Sequence, residues 1–140
     1  MSKTNPKEAR IQAIPMFADA DRKALERLVE PADEVTVPAG HVLTQQGQHH
    51  HELFIIESGT AEVVVDGKTV ADIPAGQMIG ELSLFDRGSA SATVRAATEM
   101  TLMVLPYNRV DQIMDDNPTM VRAVAAELAA RLRAMDARAH

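Results

Sequence analysis

The chain has 140 residues, the usual length of one domain, and its net charge of −6 with histidine neutral disfavours nonspecific nucleic-acid binding, which needs a basic surface. It contains no cysteine, so disulfides and thiolate metal sites are excluded and a reducing compartment is compatible with the composition. Because it has no signal peptide and no apolar run of about 18 residues, we expect a cytoplasmic protein that does not enter a membrane.

Two helices are predicted before the first strand. The first covers residues 7–14 and ends at Pro15, whose ring is incompatible with a helix interior. Asp21 is a good N-cap for the second, because its carboxylate can accept a hydrogen bond from a free backbone N–H group of the first turn. Pro31 ends that helix.

Short strands separated by glycine and proline turns fill the middle of the chain. Asp66-Gly67 is a hairpin signal between two of them. The predicted strands cover residues 35–37, 41–44, 53–57, 61–65, 68–73, 92–96 and 100–105. Many short strands at this spacing are typical of a jelly-roll or barrel. We therefore predict an α+β fold, an antiparallel β-roll (jelly-roll) with N-terminal helices and two C-terminal helices.

The C-terminal helices follow the last strand. Val110, Ile113 and Met114 give a short amphipathic helix, and Asn117 then caps a second with Pro118 at its first position. The last helix carries an apolar stripe at spacings of three and four residues, formed by Val121, Val124, Leu128, Leu132 and Met135. This stripe would either pair with a second copy, giving a homodimer, or dock on the β-roll. We expect residues 1–140 to form a single domain, with the β-roll at about 33–105 and the C-terminal helices at about 107–136.

Residues 80–84 combine the residue types that suit a sugar-phosphate ligand. Gly80 permits close approach of a ligand to the backbone, and the carboxylate of Glu81 can accept hydrogen bonds from sugar hydroxyls. The backbone N–H groups of Leu82 and Ser83 lie where a short helix should begin and can point at an anion.

A second segment completes this cradle with the Ser91 hydroxyl and the Ala92 amide. Residues 80–84 read GELSL and residues 91–94 read SATV. Together they resemble the signature of the cyclic nucleotide-binding domain, the family of the catabolite activator protein, protein kinase A regulatory subunits and cyclic nucleotide-gated channels. The resemblance extends over roughly residues 17–135. It implies a non-enzymatic sensor of cAMP or cGMP, without a cofactor or catalytic residues. Because no further module is evident in the 140 residues, we expect a free-standing domain that signals through an effector protein or a dimer.

One residue departs from the family pattern, G-E-x-(S/A/G)-L followed by R-(S/A/T)-A-(T/S)-V. The family arginine grips the cyclic phosphate, and Ala90 holds its place here. Arg87 is the nearest guanidinium and could reach along the loop. We favour the alternative that it is a solvated residue at the end of a short helix. We therefore expect weakened binding, with a binding-impaired interaction scaffold or a receptor for a different anionic ligand as the alternative.

The run His49-His50-His51 invites a metal-site interpretation, but adjacent residues on a strand point to opposite faces, and a polar loop is expected here. The spacing of the glycine, glutamine and glutamate residues around this run also resembles the metal-binding motif of cupins, which are jelly-roll proteins. In that pattern Gln46 and Gln48 hold the two histidine positions, and glutamine is a poor ligand for transition metals. We therefore predict no metal site.

Overall fold

The computed structural model describes the backbone of residues 6–139 and the side chains of residues 6–134 and 136. Its N-terminal part has helix α1 (Pro6–Gln12), a 3₁₀ turn (Pro15–Phe17) and helix α2 (Arg22–Val29). The predicted cap is confirmed, because Asp21 Oδ1 accepts a hydrogen bond of 2.8 Å from the Ala24 amide.

Residues 6–139 contain eight strands in two antiparallel sheets. The first sheet has the order β1-β8-β3-β6 and the second the order β2-β7-β4-β5. The predicted antiparallel β-roll is therefore confirmed. The bounds are β1 (Asp33–Val37), β2 (Val42–Thr44), β3 (Glu52–Ser58), β4 (Ala61–Val65), β5 (Lys68–Ile73), β6 (Met78–Ile79), β7 (Thr93–Ala96) and β8 (Met100–Pro106).

Three further helices interrupt or follow the strands. The short α3 (Glu81–Asp86) separates β6 from β7, and α4 (Tyr107–Asp116) and α5 (Pro118–Ala139) follow β8. Within the described residues, no helix has both the length and the apolar character needed to cross a membrane.

The core lies in two layers, and β3 separates them. Its side chains alternate, so Leu53 and Ile55 pack against the helices while Phe54 and Ile56 face the space between the sheets. All four are buried, which explains why β3 is a continuous apolar run in the sequence.

The apolar stripe of α5 is divided between two environments. Val124 is only 2% exposed and lies with Met120 in the helical core, and Leu128 packs against that core. By contrast, Val121 is 43% and Leu132 66% exposed. Met135 lies outside the described side chains. The stripe therefore contributes partly to the fold of its own chain, and it leaves Val121 and Leu132 uncovered in the protomer.

Candidate functional site

The short strand β6 leads into a cavity of about 190 Å³ at the start of α3. Gly80 makes the turn between them with φ of 97°, a left-handed conformation that favours glycine. A Cβ atom at this position would also lie 3.0 Å from His50 Cε1 and 3.1 Å from Tyr107 Oη. The left-handed turn thus favours glycine at residue 80, and a larger residue would in addition press against these two side chains.

Most of the residues predicted from the two-part signature converge on this one cavity. Those that line it are Gly80, Glu81, Leu82, Ala90, Ser91 and Ala92. Ser83 and Arg87 instead line a neighbouring cavity of about 560 Å³ on the side of α4. The structure therefore brings together both halves of the cradle but separates these two residues from it.

The loop before β7 is fixed by hydrogen bonds to a turn about 40 residues earlier in the chain. The Ala90 amide donates to Gln48 O at 2.9 Å, and the Gly47 amide donates to Ala90 O at 2.8 Å. Thr44 Oγ1 donates to Ala92 O at 3.1 Å. Ala90 is only 6% exposed, so its methyl group forms part of the cavity wall at the place of the family arginine.

Glu81 supplies the carboxylate of the cavity and is paired with the last helix. Its Oε1 lies 3.1 Å from Arg131 Nη1 in α5, and Arg131 Nε lies 3.4 Å from Glu127 Oε1 one turn earlier. Sequence reasoning missed Arg131, because nothing in the local pattern of α5 distinguishes it from any other charged residue beside the apolar stripe.

Arg87 ends α3 in a left-handed conformation, with φ of 59°. Its Nη2 lies 2.7 Å from Asp111 Oδ2 in α4, and its side chain is largely exposed. The guanidinium is therefore directed toward α4, outside the cavity that contains Ala90 and Ser91.

His50 lines both cavities, and Tyr107 lines the larger one. Tyr107 Oη donates to the carbonyl oxygen of Gly80 and lies 3.0 Å from His50 Nδ1. The phenol has one hydrogen, so Nδ1 of His50 is the donor in their bond. Burial raises the pKa of the Tyr107 phenol well above its ordinary value, and the negative charges of Glu81 and Asp86 raise it further.

The three consecutive histidines line the larger cavity together with Glu52 and Asp111. Within the described part of the chain, however, no three histidine, cysteine or acidic residues gather closely enough to hold a metal ion.

The sequence profile of the cyclic nucleotide-binding domain matches residues 34–117. The chain is 30% identical over 116 residues to the cAMP-dependent protein kinase regulatory subunit of Schizosaccharomyces pombe, covering 82% of this chain but only 28% of that protein.

Solved structures show the same architecture. The catabolite activator protein of Thermus thermophilus superposes with a TM-score of 0.75 at 26% identity, covering 89% of this chain and 61% of that one. The regulatory domain of Toxoplasma gondii PKA, crystallised with cAMP, also gives a TM-score of 0.75, at 23% identity, covering 84% of this chain and 48% of that one. The second likeness concerns the fold alone.

Proposed function

The chain belongs to the cyclic nucleotide-binding domain family, and we propose that it is a regulatory module that senses a cyclic nucleotide with weakened affinity. The observation that carries the proposal is the convergence of Gly80, Glu81, Ser91 and Ala92 on one cavity, although residues 80 and 91 are separated by α3 and a loop. The family is a ligand-binding regulatory domain, so we propose no catalytic step.

In the proposed complex the Glu81 carboxylate accepts a hydrogen bond from the ribose 2′-hydroxyl. The amides of Leu82 and Ala92 and the hydroxyl of Ser91 are the donors for the cyclic phosphate. Arg87 has no part in this arrangement, because its guanidinium pairs with Asp111 beside the neighbouring cavity.

The missing arginine determines the expected affinity. A hydrogen bond to a charged partner contributes about 1.5–3 kcal/mol, and each 1.4 kcal/mol corresponds to about tenfold in the dissociation constant. If the intact cradle bound cAMP with a dissociation constant of about 1 µM, the dissociation constant of the cradle with Ala90 would be above about 10 µM.

Calorimetric titration of wild type and Ala90→Arg with cAMP and cGMP tests the proposal. Ala90→Arg should raise the affinity for a cyclic nucleotide by at least about tenfold, because it restores a charge-assisted contact to the phosphate. Val70→Arg is the matched control, since it adds the same charge at a 60% exposed position of β5 that does not line the cavity. No gain in Ala90→Arg, or an equal gain in both variants, would contradict the proposal and favour an interaction scaffold or a receptor for another anionic ligand.

We further propose that the signal passes to an effector protein or through a homodimer. Val121 and Leu132 remain exposed on α5 and are available for contact with a second copy. The same helix carries Arg131, which contacts Glu81 in the cavity.

A further inference from the structure

We infer that the cavity selects an uncharged nucleoside over the corresponding cyclic nucleotide. The inference rests on the proposed function in one respect, because it takes Glu81 to be the residue that holds the sugar of the ligand. It concerns the chemical class of that ligand and follows from the charges around the cavity.

The cavity wall offers a phosphate no permanent positive charge. Glu81 is the only Asp, Glu, Lys or Arg among its lining residues within the described part of the chain. His50 is the other titratable residue there, and its Nδ1 is already bonded to Tyr107. Much of the remaining wall is apolar, including Val63, Ile73 and Val94.

Two arginines that are close in sequence to the cavity residues are engaged in ion pairs outside the cavity. Arg87 pairs with Asp111 at 2.7 Å beside the neighbouring cavity. Arg95 of β7 pairs with Glu62 of β4 and lines a different cavity, together with Val42 and Thr93.

Arg131 of α5 is bonded to the carboxylate of the cavity, with its Nη1 3.1 Å from Glu81 Oε1. Its single positive charge is also shared with Glu127, whose Oε1 lies 3.4 Å from Arg131 Nε, so two carboxylates already balance it. Binding of a cyclic phosphate would therefore either leave one negative charge unpaired beside Glu81 or break this ion pair, and both are costly in a partly buried site.

The donors of the ligand reinforce this preference. An ionised carboxylate only accepts hydrogen bonds, so Glu81 is best matched by hydroxyl donors. In a 3′,5′-cyclic nucleotide the 3′ and 5′ oxygens are part of the phosphodiester, and the 2′-hydroxyl is the only sugar donor. The ribose of a nucleoside has free 2′-, 3′- and 5′-hydroxyls, which can donate to Glu81 and also accept from Ser91. The uncharged ligand thus gains hydrogen bonds at the sugar oxygens that the cyclic phosphodiester of the charged ligand occupies.

Calorimetric titration with adenosine, guanosine, cAMP and cGMP at neutral pH tests the inference. In the wild type, at least one nucleoside should bind at least about tenfold more tightly than its cyclic nucleotide. Ala90→Arg should reverse this order, because the new guanidinium pairs with the phosphate and offers nothing comparable to the nucleoside. Val70→Arg should leave the wild-type order unchanged. Glu81→Ala should weaken nucleoside binding by at least about tenfold, which places the nucleoside in this cavity.

The outcomes separate the inference from the proposed function. A wild type that binds the cyclic nucleotide as tightly as the nucleoside, or more tightly, overturns the inference and leaves the proposed function standing. The same holds if the wild type binds no nucleoside but Ala90→Arg binds a cyclic nucleotide. Nucleoside binding that is unaffected by Glu81→Ala also overturns the inference. If neither the wild type nor Ala90→Arg binds any of the four ligands, while both remain folded by circular dichroism, the proposed function fails as well.

Discussion

The hydroxyl group of Tyr107 donates a hydrogen bond to the carbonyl oxygen of Gly80 and so stabilises the turn at that residue. Tyr107 is the only tyrosine of the chain. Its folded-state pKa is raised, so the stability linked to its proton is present below the ordinary tyrosine pKa of about 10 and is lost as the pH rises above it. We therefore expect no phenolate absorbance from the folded protein near pH 10, and a free energy of unfolding that falls at higher pH.

Tyr107→Phe should change both properties. At neutral pH it should lower the free energy of unfolding by about 1–3 kcal/mol, because Gly80 O and His50 lose a hydrogen-bond partner. Above about pH 10 the difference between the two proteins should shrink, since the variant has no phenol to ionise. Urea unfolding across this pH range measures both effects, with Phe85→Leu as a control at a surface position. A phenolate that forms at its ordinary pKa in the folded wild type would contradict the described burial.

The residues of the site differ in how far the sequence could predict them. The position of Glu81 and Ser91 in one cavity was predictable, because each belongs to a short segment that resembles the family signature. Arg131 and Tyr107 were not, because they reach residues 81 and 80 through tertiary contacts between segments far apart in the chain. The direction of the Arg87 side chain likewise depends on the position of Asp111 in α4, which no local pattern specifies.

The element that links the core to the site is α5. Its periodicity predicted an amphipathic helix, but periodicity does not specify what covers the apolar face. In the structure its first turns pack beside the 3₁₀ turn Pro15–Phe17, with Met120 and Val124 buried. The core therefore covers the side of the helix that contains Met120 and Val124 and leaves Val121 outside.

Leu128→Glu tests this docking. Leu128 packs against the helical core, so a carboxylate at this position should lower the melting temperature by several degrees, through lost apolar contact and a partly buried charge. Val70→Glu is the control, because it makes the same kind of change at an exposed position of β5 and should have little effect. Equal melting temperatures for Leu128→Glu and wild type in differential scanning calorimetry would show that α5 does not dock there.

At the scale of the whole molecule, the β-roll was predictable from its short strands and turn residues, but its sheet order was not. β1 pairs with β8, although they are the first and the last strand of the roll in the sequence. No local sequence pattern specifies this pairing, which depends on how the strands pack. The strand β6 was missed because its two residues, Met78 and Ile79, are too few to show an alternating pattern. It nevertheless pairs with β3 and so sets the position of Gly80 at the mouth of the cavity.

The surface left open on α5 leads to a prediction about assembly. At about 100° per residue, Val121, Ala125, Leu128 and Leu132 fall on one side of the helix, at the alternating spacings of four and three that two-stranded coiled coils use. Val121, Ala125 and Leu132 are exposed in the protomer. We therefore expect self-association through this seam, because pairing with a second copy would bury side chains that the protomer leaves in water.

Leu132→Glu should then shift the mass measured by light scattering toward the monomer, since it places two like charges opposite each other across a symmetric interface. Ala130→Glu introduces the same charge at an exposed residue on the opposite side of the helix and should leave the mass unchanged. Unlike Leu128, Leu132 is 66% exposed, so its substitution should not unfold the protomer. A wild type that is monomeric at high concentration, or an equal loss of mass in both variants, would show that the seam is not an interface between copies.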